Sequence, residues 1–302
     1  LLAAALFSGA LYGYAAGGVA GNRMAMVPQM TSDTARPTII LSMMSVFGFT
    51  FGPVFWAFAQ QQAGDGAAML IVVAMLLLSA ISLPQIDAAR QSEPIALRAL
   101  VRGVSDGFVH VLATRSLWQA LLLGAVPALF VLGPVQAVLP RHLQTLFPQA
   151  ELFAGTVFVA LGLGTLIGGI ISTMLARSAA RSAIAAAAGI MACAAITGAV
   201  HVAQHQPLLA LIGLCGIGLG VPHAMVPVML QDQVSDAMRA RTMAVLTLKL
   251  TGVPAIGAAV CGLLATQWDA GTALQVMGVC GLATAFMLLL GSRSARTHRK
   301  SA

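Results

Sequence analysis

Long apolar stretches separated by short polar ones set the pattern of this chain. No Asp, Glu, Lys or Arg occurs in 1–22, 37–64, 66–86, 116–140 or 152–176. A further charge-free run, 182–231, is long enough for two spans and is punctuated by "HVAQHQP", His201 to Pro207. The runs 242–268, interrupted by Lys249, and 270–292 complete the series. A membrane-crossing helix needs about 20 mostly apolar residues, so the pattern predicts nine helices. Runs such as "MLIVVAMLLLSAISL" lack the alternation of membrane-barrel strands. Lipid offers no partner to an open backbone, which leaves helices. The expected fold class is all-α, a polytopic membrane helical bundle.

Composition agrees. Hydrophobic residues make up 59% of the chain and charged residues 8%, whereas a soluble domain carries about 25% charged residues. The cations are one-sided. Fourteen of the sixteen Lys and Arg fall in alternate loops (21–36, 85–115, 177–181, 231–241) and the tail from Arg293. The opposite loops hold one, Arg141, and Lys249 lies within a span. The positive-inside rule makes the cation-rich side cytoplasmic, with the C-terminus inside. The chain is expected in a bacterial inner membrane as a multi-pass protein. The net charge of +7 then reads as attraction to anionic lipid, not nucleic-acid binding, since the basic residues are spread over five loops. The tail "RSARTHRK" reads as a stop-transfer anchor. Cys193, Cys215, Cys261 and Cys280 all fall in spans with no C-x-x-C pair, so no metal or disulfide framework is expected.

One polar motif occurs twice. "SDTAR", Ser32 to Arg36, is echoed by "SDAMRAR", Ser235 to Arg241. Six predicted helices lie between, which puts both copies on one face. "MVPQM" precedes the first and "MVPVM" the second. A parallel six-plus-six repeat is a known transporter architecture. The second copy follows the fourth helix of its half, whereas the first follows the first helix of this chain. Leu1 also lies inside an apolar run. The expectation is a chain holding helices 4–12 of twelve. Residues 1–84 would be the remainder of the N-terminal half and 85–115 a central loop. Residues 116–292 would form the C-terminal half and 293–302 a basic tail. In the central loop, Leu97, Val101, Val104, Phe108 and Val111 share a helical face apart from Arg98, Arg102 and Asp106, as in an amphipathic helix on the membrane surface.

Three stretches carry a family resemblance: "VPQMTSDTARPTIILSMMSVFGFTFGP", "ALVRGVSDGFVHVLATRSLWQALLLGAVPALFVLGPVQAVLPRHL" and "MLQDQVSDAMRARTMAV". They resemble the link between helices four and five, the central loop with helix seven, and loop ten to eleven of the major facilitator superfamily. Within it, they are similar to the bacterial enterobactin-exporter, or transmembrane secretion effector, group. Two departures stand out. "GGIISTMLARSAAR" matches the loop eight to nine signature at Gly169, Arg177 and Arg181 but lacks its Asp. The antiporter pattern of helix five is met by Gly48, Gly52 and Pro53, but Trp56 and Ala57 replace its final glycines. The resemblance implies a proton-coupled exporter working by alternating access, active as a monomer, with no cofactor.

The candidate residues follow. The resemblance supports a charge latch at the helix ends, made by Asp33, Arg36, Asp236, Arg239 and Arg241; plain topology and helix capping would also explain them. Gly9, Gly13, Gly17 and Gly21 form a ridge on the first helix, and Gly48/Gly52, Gly164/Gly168 and Gly216/Gly220 repeat the spacing. Such ridges permit close helix packing in lipid and, in a transporter, sliding. Pro53 and Pro254 are among the span prolines that would kink helices. Polar groups inside spans are functional candidates. Lys249 could couple protons or simply snorkel to the surface. His223, between Pro222 and Pro227, could exchange protons or bond a carbonyl freed by a proline. Gln136 and Trp56 are candidate cavity contacts. No carboxylate lies deep in any span, so the coupling group would be His223, Lys249 or a residue in the missing helices. On that reading this stretch alone should not transport.

The function expected is secondary active export of a hydrophobic or amphipathic small molecule, siderophore-like or drug-like, through a membrane-embedded monomer. An ATP-driven machine is disfavoured because no G-x-x-x-x-G-K-[ST] loop occurs. An intramembrane enzyme would need H-E-x-x-H or deep paired carboxylates, and neither occurs. A transport-inactive scaffold or sensor remains the alternative.

Overall fold

The computed structural model describes residues 35–44, scattered positions between 62 and 78, 97–148 and 151–298. Among the described residues there is no strand. The helices are α1 (35–44), α2 (Leu97–Ala113), α3 (Arg115–Ala137), α4 (Leu139–Leu146), α5 (Glu151–Leu175), α6 (Arg181–Ala199), α7 (His205–Gln231), α8 (Asp236–Gln267) and α9 (Ala270–His298). Six of them, α3 and α5 to α9, are long and apolar enough to cross a membrane. They coincide with the six apolar runs that begin at Ser116. The described positions between 62 and 78 are helical. Gly64 there takes φ 78°, a left-handed conformation costly to any side chain, where the sequence places a turn.

Tertiary contacts show that successive spans run in opposite directions. At one end Arg181 pairs with Asp232, Arg241 pairs with Asp106, and Ile39 of α1 packs with Ala176, Ala224 and Val228. At the other end His142 meets the Val200 carbonyl and lies beside Gly271. Arg141 is the one cation at that second end among the described residues.

α7 is the central element, packed most extensively against α5 and α6. Its apolar residues go all the way round, so only small side chains allow neighbours close on two sides. Gly216 and Gly220 lie against the Leu161 and Thr165 backbone of α5, and in return Gly164 and Gly168 face the Gly213 and Ile217 carbonyls of α7. On the other side a Cβ on Gly218 would stand 2.6 Å from the Ala188 carbonyl oxygen and the Ala192 nitrogen. The expected glycine ridges of α5 and α7 are thus the two sides of one crossing. Several Ser and Thr hydroxyls in the spans turn back onto carbonyls one turn earlier, as Thr165 does to Leu161 at 2.8 Å and Thr197 to Cys193 at 2.7 Å, which satisfies them without water. Cys193, Cys215 and Cys261 are free and buried.

α3 and α8 cross through a second reciprocal pair. Gly133 faces the Pro254 carbonyl and the Ala258 nitrogen, and Gly257 faces the Leu129 backbone. The α3 segment Ala128–Leu132 is a π-turn, closed by the Gly133 N–H donating to the Ala128 oxygen five residues back. It lies just before Pro134, whose ring would crowd the Phe130 carbonyl in a regular helix. The span expected over 116–140 stops short. The chain breaks at Val138 (φ −114°, ψ −29°), and α4 starts anew with Pro140 in its first turn, a place that needs no N–H. α4 buries Leu139, His142 and Leu143. A ring nitrogen of His142 lies 3.2 Å from the Val200 carbonyl, tying α4 to the α6–α7 turn. Asp269 caps α9, its carboxylate accepting from the Thr272 N–H at 2.9 Å and from the Thr272 hydroxyl.

The central-loop helix exists as expected, but its apolar face is divided. Gly107 and Val111 are buried, Gly107 against the Arg241 backbone of α8, while Phe108 and Leu112 are exposed. One stripe meets protein and the other is left for lipid.

Two outcomes follow. Gly216→Ala should cost about 1–3 kcal/mol through overpacking, since the new methyl meets backbone that cannot step aside. Gly252→Ala, which meets nothing within 4 Å, should be neutral or gain up to about 1 kcal/mol; thermal unfolding in detergent separates the two. Burial holds the His142 imidazole below its ordinary pKa, outweighing the raising effects of the Val200 carbonyl and Asp269. A depressed histidine favours the folded state fully above the unfolded value of about 6.5 and loses that advantage as pH falls below it. The melting temperature should therefore drop between pH 7.5 and pH 5.5 (about one unit either side of that value), and His142→Gln should flatten the drop.

Candidate functional site

Several of the buried polar side chains lie along a seam between α1 and α7, beside α3 and α8. Thr38 and Ser42 stand one turn apart on α1 and both are fully buried. The Thr38 hydroxyl donates to Gln231 Oε1 at 2.8 Å, and the Ser42 hydroxyl donates to the Thr38 carbonyl at 2.9 Å. The His223 imidazole, one turn beyond Pro227 into α7, faces the Ser42 backbone within hydrogen-bonding reach and has Lys249 as a charged neighbour. The reading in which His223 serves a carbonyl freed within its own helix gives way to a contact between helices.

Lys249 is buried, with 8% of its surface exposed. Its ammonium packs against a neighbouring helix. It rests against Gly124 of α3, where a Cβ would strike Nζ, with the Val226 Cγ2 beside the same position. Gly124 thus makes the space that the lysine fills. Gln136 is half-buried in the last turn of α3, twelve residues and about 18 Å along the helix from Gly124. The structure does not bring it to Lys249 and His223.

Of the loop charges, Arg241 has a partner on another helix. Arg241 Nη1 lies 3.3 Å from Asp106 Oδ2, linking α8 to the central-loop helix, with both side chains about half exposed. Ser235 is the N-cap of α8 and Asp236 its first residue, where a negative charge suits the helix dipole. Arg239 is half-buried and Arg36 exposed. Asp232, just past α7, takes Arg181. A cleft of about 470 Å³ opens beside this pair, lined by Ala35, Arg177, Ser178, Arg181, Ser182 and Asp232 among others. The expectations for Asp33, Trp56, Gly9, Gly13, Gly17, Gly21, Gly48, Gly52 and Pro53 lie outside the described residues.

Sequence reasoning passed over Thr38, Ser42, Gln231, Asp232 and Gly124. The i, i+4 spacing of Thr38 and Ser42 was a weak signal, since hydroxyls are common in lipid-embedded helices. Gln231 looked like the first residue of a loop.

Thr38 and Gln231 should behave as a coupled pair. Thr38→Val or Gln231→Leu alone leaves a buried partner unsatisfied at about 1–3 kcal/mol. The double variant should cost less than the sum, as read from thermal unfolding of all four proteins.

No protein-family model matches the chain, and no curated protein matches its sequence.

Proposed function

We propose that the chain is a secondary active transporter of the major facilitator type, an exporter of a hydrophobic or amphipathic small molecule driven by the proton gradient. The observation that carries this reading is the placement of His223 and Lys249 together inside apolar spans, at a seam between α1 and the six-helix bundle. Titratable groups at membrane depth are costly and persist where they serve transport or proton movement. In this reading α1 belongs to the N-terminal half (1–84) and α3 to α9 form the C-terminal half (116–292). The central loop (85–115) and basic tail (293–302) lie in the cytoplasm of a bacterial cell, at the inner membrane. The halves rock about the seam. Closing it makes the Thr38–Gln231 bond, and opening it exposes His223 and Lys249 to the aqueous side.

The ion pairs suit this cycle. Arg241–Asp106 and Arg181–Asp232 are partly exposed, and such pairs contribute only about 0–1 kcal/mol. They guide the cation-rich ends without locking them. Coupling would arise when a proton and the cargo bind the seam alternately, so that one displaces the other.

Cells expressing the protein from its natural coding sequence should extrude a hydrophobic fluorescent dye faster than control cells. A protonophore should abolish the difference, and His223→Ala should reduce it at least tenfold, the scale of losing one charge-bearing interaction (about 1.4 kcal/mol). Efflux that is absent, or indifferent to the protonophore, would favour a scaffold or sensor.

A further inference from the structure

Building on the transporter reading, we propose that the cargo is an organic anion and that Lys249 is its counter-charge: the seam takes an amphipathic molecule bearing a carboxylate, sulfonate or phosphate. Lys249 lies thirteen residues into α8 from Asp236, about 20 Å along the helix axis. It is buried, and no ion pair or hydrogen bond engages it among the described residues. An ammonium taken out of water and left alone costs several kcal/mol. In other buried sites a carboxylate on a neighbouring helix offsets that cost. Among the described residues no acidic side chain pairs with it, and none of the chain's nine acids falls within the apolar runs that predict its spans. Two of them, Asp106 and Asp232, are already held by Arg241 and Arg181. The charged or titratable neighbour of Lys249 is His223, which supplies no negative charge in either protonation state.

The surroundings narrow the class further. Gly124 removes the side chain that would block the ammonium. Val226 stands beside it, and Leu246 lies one turn before it on the same helix face. A small hydrated ion would lose its water to these apolar walls without replacement. A molecule with one acidic group on an apolar body satisfies both the lysine and the walls. Ser42 and Thr38 on α1 border the same seam, so closure against α1 would complete the enclosure of such an anion.

The test uses the protein expressed from its natural coding sequence and reconstituted in phosphatidylcholine vesicles, with two probes: a dansyl-labelled medium-chain carboxylate and its neutral methyl ester. The wild type should bind the carboxylate at least about tenfold more tightly than the ester, the scale of one charge-assisted hydrogen bond. Lys249→Met and the near-isosteric Lys249→Gln should erase that preference while leaving ester binding and the melting temperature intact or raised. Lys249→Arg should keep part of it. Equal affinity of the wild type for both probes, or a carboxylate preference that survives in Lys249→Gln, overturns the assignment. Displacement of the carboxylate by added phosphatidylglycerol would give the anion site to a lipid headgroup and overturn the cargo. Proton-driven export of the ester and the carboxylate alike would sink the anion site and leave the transporter standing. A Lys249-dependent preference without export of either would do the reverse.

Discussion

In lipid, helices gain little by hiding apolar surface from one another, so they hold together by how closely their backbones can approach. The crossing of α5 and α7 rests on that constraint. Gly164, Gly168, Gly216 and Gly220 bring two backbones to contact distance, where dispersion and carbonyl contacts replace the missing hydrophobic drive. Gly218 does the same for α6 on the other side. α7 is thereby fixed between two neighbours, and it carries His223, Val226 and Gln231, which shape the seam. The rigidity of one helix sets the geometry of every polar contact made to it.

Against that fixed element stand parts suited to movement. α3 contains a π-turn and two prolines, and α8 carries Pro254 at the point where α3 crosses it. Both have given up regular backbone bonds at mid-membrane, which lowers the cost of bending there. α1 is joined to the bundle by a small apolar cluster, Ile39 with Ala176, Ala224 and Val228, and by the Thr38–Gln231 bond. That is a modest interface, of a kind that can open and close. The ion pairs that flank it are partly exposed and weak. A close-packed core thus stands beside two spans with interrupted backbone hydrogen bonding.

Lys249 is where stability and function pull apart. Packed beside Gly124 and apolar side chains, it lowers the stability of the empty bundle, and a neutral residue of similar size would fit better. A cost of that kind is offset when a ligand brings the opposite charge. His223 a short distance away changes charge near neutral pH in its ordinary state. A lysine and a histidine are therefore neighbours within apolar spans.

The sequence by itself determined that the chain is a membrane protein, where six of its spans lie, and which end gathers the cations. Each of these follows from local properties: the length of an apolar run, the spacing of Gly164 and Gly168, the position of an arginine next to a span. The amphipathic helix after Leu97 was legible for the same reason. Tertiary structure alone decided partners. The sequence could not say that Lys249 turns inward, because its depth suits both snorkelling and burial, and only Gly124 on another helix makes the room. Nor could it join Arg181 to Asp232 or Arg241 to Asp106, since charges in different loops meet only once the helices are stacked. The end of α3 was misjudged for a related reason: apolar composition continues to Pro140, but the break at Val138 is set by backbone geometry and by the packing of Leu139 and His142 against the α6–α7 turn.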